Sequence, residues 1–227
     1  MKEYLHVFES SLLFRGIDRA DLPRLLSCLN ARKTRYGRQA FILREGQKVT
    51  ELGFLLSGEA QIARDDYLGN RTIIAGLAPG DVFAEAYAFR RELPVPVYVV
   101  SQTECEVLWL DCENLTGICA QTCGFHTRLV ENLLFIMASK NIQLNRKIEH
   151  LSRRTTREKL LSYLSEQAFL QGNSEFDIPF NRQQLADYLC VDRSAMSAEL
   201  SKMQSEGILR FRRSHFCLLA EPEAESR

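Results

Sequence analysis

The sequence contains no Cys-x-x-Cys pair, no histidine between Arg35 and Asp111, and no apolar run approaching the ~20 residues that span a bilayer. Each absence removes a class of function. Without closely paired cysteines, zinc, iron–sulfur and thioredoxin-type sites lose their usual ligands. A cupin-type metal enzyme needs clustered His and Glu inside a barrel, and the four histidines stand at 6, 126, 150 and 215. G-x-S-x-G, P-loop and H-E-x-x-H motifs are all missing, so neither an enzyme nor a metal site is expected. The charged residues Lys2 and Glu3 do not fit a signal peptide, and a cytoplasmic chain with no membrane partner is expected. The seven cysteines are scattered through apolar segments as buried thiols are; Cys119 and Cys123 alone sit one helical turn apart, as a redox pair would.

Net charge is absent too, but unevenly. Residues 1–145 carry 16 Lys/Arg against 17 Asp/Glu, while 146–217 carry 12 against 9. The C-terminal part is thus mildly basic, which permits nucleic acid without demanding it.

What is present begins with the stretch from Phe125 to Leu151, which has no Pro or Gly. Val130, Leu134, Met137, Asn141, Leu144, Ile148 and Leu151 follow at alternating spacings of 4 and 3, a heptad seam. At 1.5 Å per residue such a seam is about 33 Å long and needs a partner of equal length. A lone polar seam residue, Asn141, suits a parallel homodimer in which it meets its own copy. A second row, Leu129, Leu133 and Ile136, is available to pack on the preceding domain.

Before this helix, residues 1–30 read as short amphipathic helices. From Arg35 to Asp111 the texture is β: Ala40–Leu43, Leu52–Leu56, Ala60–Ala63, Thr72–Leu77, Val97–Ser101 and Glu106–Leu110. Glycines at 37, 46, 58, 69 and 80 punctuate these runs, which suggests an antiparallel barrel or roll. The segment Val82–Arg91 breaks the strand pattern and predicts a short helix at the mouth of the roll, a usual place for a ligand.

Past the long helix, Thr155-x-x-Glu158 has the form of a capping box, so a new helix starts there and residues 152–156 form a hinge. Gly172-Asn173 ends it. Phe176–Pro179 reads as a strand. Asn181-x-x-Gln184 opens the next helix, Cys190-Val191-Asp192 makes a turn, and Asp192 caps a helix reaching Glu206 before Gly207. Two strands around Arg212-Arg213-Ser214 follow. Two short helices, a tight turn and a hairpin have the layout of a winged helix-turn-helix.

In that layout Met196, Leu200 and Met203 face inward, and Arg193, Ser194, Ser197, Ser201 and Lys202 face out. Arg193, in the first turn, can meet guanine O6/N7 in bidentate fashion. Arg182 and Gln183, at the start of the preceding helix, are placed for phosphate, and Arg212 and Arg213 for the backbone from the wing.

Roll, long helix, hinge and winged helix-turn-helix, in this order, resemble the Crp/Fnr family of bacterial transcription regulators over about residues 8–219. The local matches are Tyr36-Gly37, Arg44-Glu45-Gly46, Leu55-Leu56-Ser57-Gly58, Pro79-Gly80-Asp81-Val82-Phe83, Cys105-Glu106-Val107 and Asp192-Arg193-Ser194 through Leu200. The resemblance implies a homodimer on a palindromic operator in double-stranded DNA, a small-molecule effector in the N-terminal domain, and RNA polymerase as a further partner. Cyclic-nucleotide-binding members carry Gly-Glu after the Pro-Gly-Asp segment and then an Arg-Ser pair that neutralises the cyclic phosphate. Here the aligned residues are Ala84-Glu85 and Val95-Pro96. A buried phosphate without its cation costs on the order of several kcal/mol, so cAMP is not the expected effector. Ala84, Glu85, Tyr87, Val97 and Tyr98 line the expected effector site, which suits a neutral or aromatic molecule or a filled core. Ala198 replaces an Arg that members often carry in the reading helix, so no member's operator carries over. The iron–sulfur members' N-terminal cysteine cluster is missing from residues 1–27; His126 is the best placed histidine for a haem.

The expected architecture is α+β. Residues 1–124 form an effector-binding, cyclic-nucleotide-binding-like domain, 125–152 the dimerisation helix and hinge, 153–219 the winged helix-turn-helix, and 220–227 a disordered tail. The expected function is a dimeric, sequence-specific DNA-binding regulator of transcription with no fixed cofactor. The alternatives are a redox- or haem-sensing regulator of the same fold, or a ligand-binding regulatory subunit that does not bind DNA.

Overall fold

The computed structural model describes residues 2–65, 67–68, 71–117 and 124–219; Cys119, Cys123 and the tail 220–227 lie outside the described residues. Contacts divide the chain into two compact units, Met1–Ala138 and Ser139–Arg227.

The first unit opens with helices α1 (Leu5–Ser10) and α2 (Leu22–Cys28). Strands β1 (Arg32–Tyr36), β2 (Phe41–Leu43), β3 (Glu51–Ser57), β4 (Ala60–Asp65), β5 (Arg71–Leu77) and β6 (Val82–Phe83) follow. Helix α3 (Glu85–Phe89), strands β7 (Tyr98–Ser101) and β8 (Cys105–Asp111), and helix α4 (Cys112–Thr116) lead to the long helix α5 (Gly124–Ser152). The strands form two four-stranded antiparallel sheets, in the orders β1-β8-β3-β6 and β2-β7-β4-β5, so the expected barrel or roll is an open roll. Its interior is filled by Ile42, Leu55, Phe83, Val99, Val107 and Trp109, among others.

A second apolar cluster joins the outer side of the roll to the helices: Phe8, Phe14, Leu25, Phe54 and Leu110 pack with Leu129, Leu133 and Ile136 of α5. That row of α5 therefore packs where the heptad reading placed it. Helix α3 touches both clusters, with Ala88 and Phe89 on the outer one and Ala84 and Tyr87 on the inner.

Two strands and the short helix α4 were not anticipated. Strand β1 is an edge strand whose Arg32, Lys33 and Arg35 hide its period; Arg35 lies opposite Glu106 of β8 and bonds it at 2.8 Å, with Lys33 3.5 Å away. Strand β6 is two residues long, too short for a pattern. Within Val82–Arg91 the helix covers Glu85–Phe89, and Val82-Phe83 pair with Gly53 and Phe54 instead.

The second unit holds the end of α5, then α6 (Thr156–Gln171), β9 (Glu175–Asp177), α7 (Arg182–Leu189), α8 (Arg193–Ser205), β10 (Leu209–Arg212) and β11 (His215–Leu218). A three-stranded antiparallel sheet, β10-β11-β9, packs with the three helices around Leu164, Leu185, Met196, Leu200, Met203 and Phe216.

Gly53 shows how tightly the roll is closed. Phe83 is its cross-strand partner, and the ring lies where a side chain would begin: a Cβ on Gly53 would meet Phe83 Cζ at 2.2 Å. Phe83 is 1% exposed and packs edge-on against Trp109, so making room means shifting a buried ring. Gly53→Ala is therefore expected to destabilise the protein by about 1–3 kcal/mol, the usual cost of overpacking, read as a lower urea midpoint.

Candidate nucleic-acid interface and effector domain

The helix-turn-helix is built by its caps. Thr155 Oγ1 accepts from Glu158 N at 3.1 Å while Glu158 Oε2 accepts from Thr155 N at 3.0 Å, a complete capping box for α6. Asn181 and Gln184 make the same reciprocal pair on α7, at 3.0 and 2.9 Å. Cys190 ends α7 in the left-handed conformation (φ 51°), and the Asp192 carboxylate then accepts from Ala195 N at 2.8 Å to start α8. The Ser194 hydroxyl and the Ala195 amide both hold the Asp192 carboxyl below its usual pKa. Arg157 on α6 pairs with Glu206 and, at 3.5 Å, with Glu199, tying α6 to α8.

On α8, Met196, Leu200 and Met203 are fully buried. Arg193 and Lys202 are exposed. Ser194 donates to Asp192, Ser197 to the Arg193 carbonyl at 2.8 Å, and Ser201 to the Ser197 carbonyl at 3.0 Å. These serines are committed to the helix backbone and its cap, so the exposed Arg193 and Lys202 carry the face. Gln183 is exposed and bonded to Asp187 at 2.8 Å. Arg212 and Arg213 are exposed at the tip of the wing, together with Arg210, which the sequence reading passed over. Arg182 differs: its guanidinium is half-buried over the rings of Phe211 and Phe216.

The end of α5 belongs to this unit. His150 is 2% exposed; its Nδ1 is 2.8 Å from Ser162 Oγ and its Nε2 2.8 Å from Glu166 Oε2. Arg146 also bonds Glu166, at 3.0 Å, and the Lys147 ammonium lies over Tyr188. No periodic signal pointed to this network, since each member is a polar residue on a different turn.

Along the seam of α5, Leu134, Leu144 and Ile148 are 60–63% exposed. Val130 and Met137 are half-buried against the outer cluster, and Leu151 is half-buried. Asn141 is exposed, its carbonyl accepting from Asn145 at 3.0 Å.

In the first unit, Ala84 holds a left-handed backbone (φ 63°) just before α3, at the position where the resemblance expects glycine. Glu85 is 7% exposed. Tyr87 and Val97 pack with Val95 on the inner cluster. Tyr98 does not join them. Side chains alternate along β7, so Tyr98 shares the opposite face with Val100 and Ala63, and its hydroxyl donates to Asp65 at 2.7 Å. The five residues expected at one site are thus split between two faces. Val95, aligned with the phosphate-neutralising arginine, is 1% exposed and fills the core. Arg90 is exposed, and Arg91 is paired with Glu113. A cleft of ≈ 260 Å³ opens elsewhere in this unit, bounded by Tyr36, Gln47, Lys48 and Trp109, and includes none of the five.

His126 is 9% exposed, neither ring nitrogen is hydrogen-bonded among the described residues, and burial lowers its pKa. Among the described residues no group of His, Cys, Asp and Glu could hold a metal ion, and no helix is long and apolar enough to cross a membrane. Cys28, Cys105, Cys112, Cys190 and Cys217 are free, and burial pushes the Cys112 thiol up to about 11.

An interior-filled antiparallel roll followed by a capped helix-turn-helix with a basic wing defines a sensory domain joined to a DNA-binding one. Sequence comparison agrees: the cyclic nucleotide-binding domain family matches residues 33–122, and the Crp-like helix-turn-helix domain family matches 158–224. Between them these cover most of the chain, which belongs to the Crp/Fnr family of transcription regulators. No curated protein matches the sequence. Among solved structures, CprK complexed with OCPA is similar at TM-score 0.67 and 12% identity, covering 88% of this chain and 91% of that one. The c-di-GMP-responsive global regulator CLP of Xanthomonas campestris is similar at TM-score 0.58 and 18% identity, over 90% and 100%.

The wing carries a titratable group with a testable sign. His215 lies between Glu175 (2.9 Å) and Asp177 (3.3 Å) on β9, and the hydrogen bond to Glu175 above all raises its pKa. A raised folded pKa contributes stability that is fully present below the unfolded value of about 6.5 and lost as pH rises through the folded value. The melting-temperature advantage of wild type over His215→Gln is expected to be largest near pH 6 and to shrink by pH 9.

Proposed function

We infer that the protein is a homodimeric, sequence-specific DNA-binding regulator of transcription, acting on a palindromic operator in the cytoplasm. The observation that carries this reading is the exposed first turn of α8, where Arg193 stands free beyond two capped helices joined at Cys190. A two-fold dimer offers two such turns, suited to half-sites about 34 Å apart. Arg193 reads a base edge; Lys202, Gln183, Arg212 and Arg213 engage the backbone, and Ser194 and Ser197 keep the turn in shape. The exposed row Leu134, Leu144 and Ile148 forms the dimer seam with Val130, Met137, Asn141 and Leu151. RNA polymerase is the downstream partner, and the chain itself performs no catalysis.

Selection from a randomised duplex pool should yield a palindrome, and Arg193→Ala should bind it at least roughly tenfold more weakly while still sedimenting as a dimer. A wild-type protein that selects no sequence, yet binds a metabolite, would instead be a regulatory subunit without DNA binding.

The effector is not cAMP. Val95 fills the place of the cation, Arg91 is engaged by Glu113, and Arg90 faces solvent. Of the two structural neighbours, one is complexed with OCPA and the other is described as c-di-GMP responsive, so the fold leaves the effector open. Ala84, Glu85, Tyr87 and Val97 remain the candidate contacts for a neutral or aromatic effector, with Tyr98 on the outer face. Calorimetric titration with cAMP should give no heat of binding at micromolar concentrations; a measurable affinity would mean that another cation reaches the phosphate and would overturn the assignment.

A further inference from the structure

We propose that Arg182 is a positioning residue for the wing and not a ligand of DNA phosphate. The proposal rests on the DNA-binding reading above. Arg182 is the first residue of α7, where an arginine would ordinarily point at a phosphate. Its guanidinium carbon instead lies 4.6 Å from the centroid of Phe211 and 5.1 Å from that of Phe216. These rings are cross-strand partners in the wing hairpin, stacked 5.9 Å apart at 29°. Nη2 of Arg182 is shut off from solvent with no hydrogen-bond partner among the described residues, and burial lowers the pKa of the group. A phosphate ligand presents its N–H donors outward; this one spends its charge against two ring faces, whose negative quadrupole attracts it.

The consequence for the wing follows from strand alternation. On β10, Leu209 and Phe211 face inward while Arg210 and Arg212 are exposed. Fixing the Phe211 ring fixes the direction in which Arg212 leaves the hairpin. Arg213, held left-handed at φ 55° in the turn, follows from it. Arg182 thereby links the first helix of the reading motif to the two cations of the wing tip.

The test is a double-mutant cycle on a palindromic duplex selected by the wild-type protein. Arg182→Ala should weaken binding roughly tenfold in the wild-type background and less than about twofold when Arg212 and Arg213 are already alanine. Arg182→Met, which keeps an apolar, sulfur-bearing chain against the rings, should retain most of the affinity. A direct phosphate contact predicts the reverse: equal losses for Ala and Met in both backgrounds, each with the salt slope reduced by about 0.9. That result would overturn the proposal. Hydrogen exchange on the DNA-free protein supplies an arm independent of operator binding. Amides of Leu209–Leu218 should exchange faster in Arg182→Ala while those of α6 stay unchanged; an unaltered wing would refute positioning. Should the wild type select no duplex, the DNA-binding reading fails, and the exchange arm still decides whether Arg182 holds the hairpin.

Discussion

A helix with two apolar rows can bury only one of them against its own domain. Helix α5 has two such rows, and much of the molecule's design follows from that limit. Leu129, Leu133 and Ile136 are 0–8% exposed against α1, α2 and the outer side of the roll. Leu134, Leu144 and Ile148 are left in solvent at 60–63%. Large aliphatic side chains in a regular row over four turns are a costly surface for a monomer to keep. The dimer we propose removes that cost without disturbing the buried row, because the rows lie on different sides of one cylinder. Asn141 then has a register to set: its intrahelical bond to Asn145 leaves its own N–H donors for a partner copy.

The last turns of the same helix obey a different constraint. His150 is buried with a hydrogen-bonding partner at each ring nitrogen, as most buried polar groups are. Its Nε2 lies 2.8 Å from Glu166 Oε2 and its Nδ1 2.8 Å from Ser162 Oγ, so the ring bridges a carboxylate and a hydroxyl. Both partners are on α6, so the end of α5 is anchored to the DNA-binding unit. This bears on the hinge expected at residues 152–156. The capping box there does mark where one helix stops and another starts, yet Arg154 N and Thr155 N are both bonded to Glu158. The contact boundary falls earlier, between Ala138 and Ser139. A helix break and a domain boundary are separate physical events, one set by backbone hydrogen bonding and the other by where packing partners change.

That distinction also separates what the sequence makes legible from what it does not. The capping boxes at Thr155 and Asn181, the Asp192 cap and the left-handed Gly172 and Gly207 are local, and each is written in adjacent residues. The heptad rows and most strands are periodic, and period survives in one dimension. Strand β1 escaped because an edge strand bearing Arg32, Lys33 and Arg35 gains its place from Glu106, over seventy residues away. Arg182 shows a related limit. Its position at N1 of α7 is visible locally, whereas the two phenylalanines that claim its guanidinium arrive in the wing. Tyr98, expected at the pocket, shares its face with Val100 and Ala63, because one residue along a strand is a change of face. Polar residues whose role depends on a distant partner are the least readable class.

The N-terminal unit keeps a left-handed turn before α3, with alanine in it. Ala84 keeps the left-handed turn before α3, a conformation that costs a non-glycine residue roughly 1 kcal/mol. Val95 occupies the core where a cation would be needed, and its amide and carbonyl are bonded to Gln47 and Gly46 at 2.8 Å. What survives is the mechanical arrangement: α3 touches the inner cluster through Ala84 and Tyr87, and through Ala88 and Phe89 the cluster that holds Leu129 and Leu133. A molecule that entered the roll by displacing Tyr87 would move a five-residue helix packed on both sides, and packed interiors shift between discrete arrangements more readily than they stretch. The effect on α5 could be no larger than the difference in that molecule's affinity for the two arrangements. An apolar lining without a fixed cation makes such a difference depend on shape and burial, so the effector to seek is one whose fit to the roll requires Tyr87 to leave.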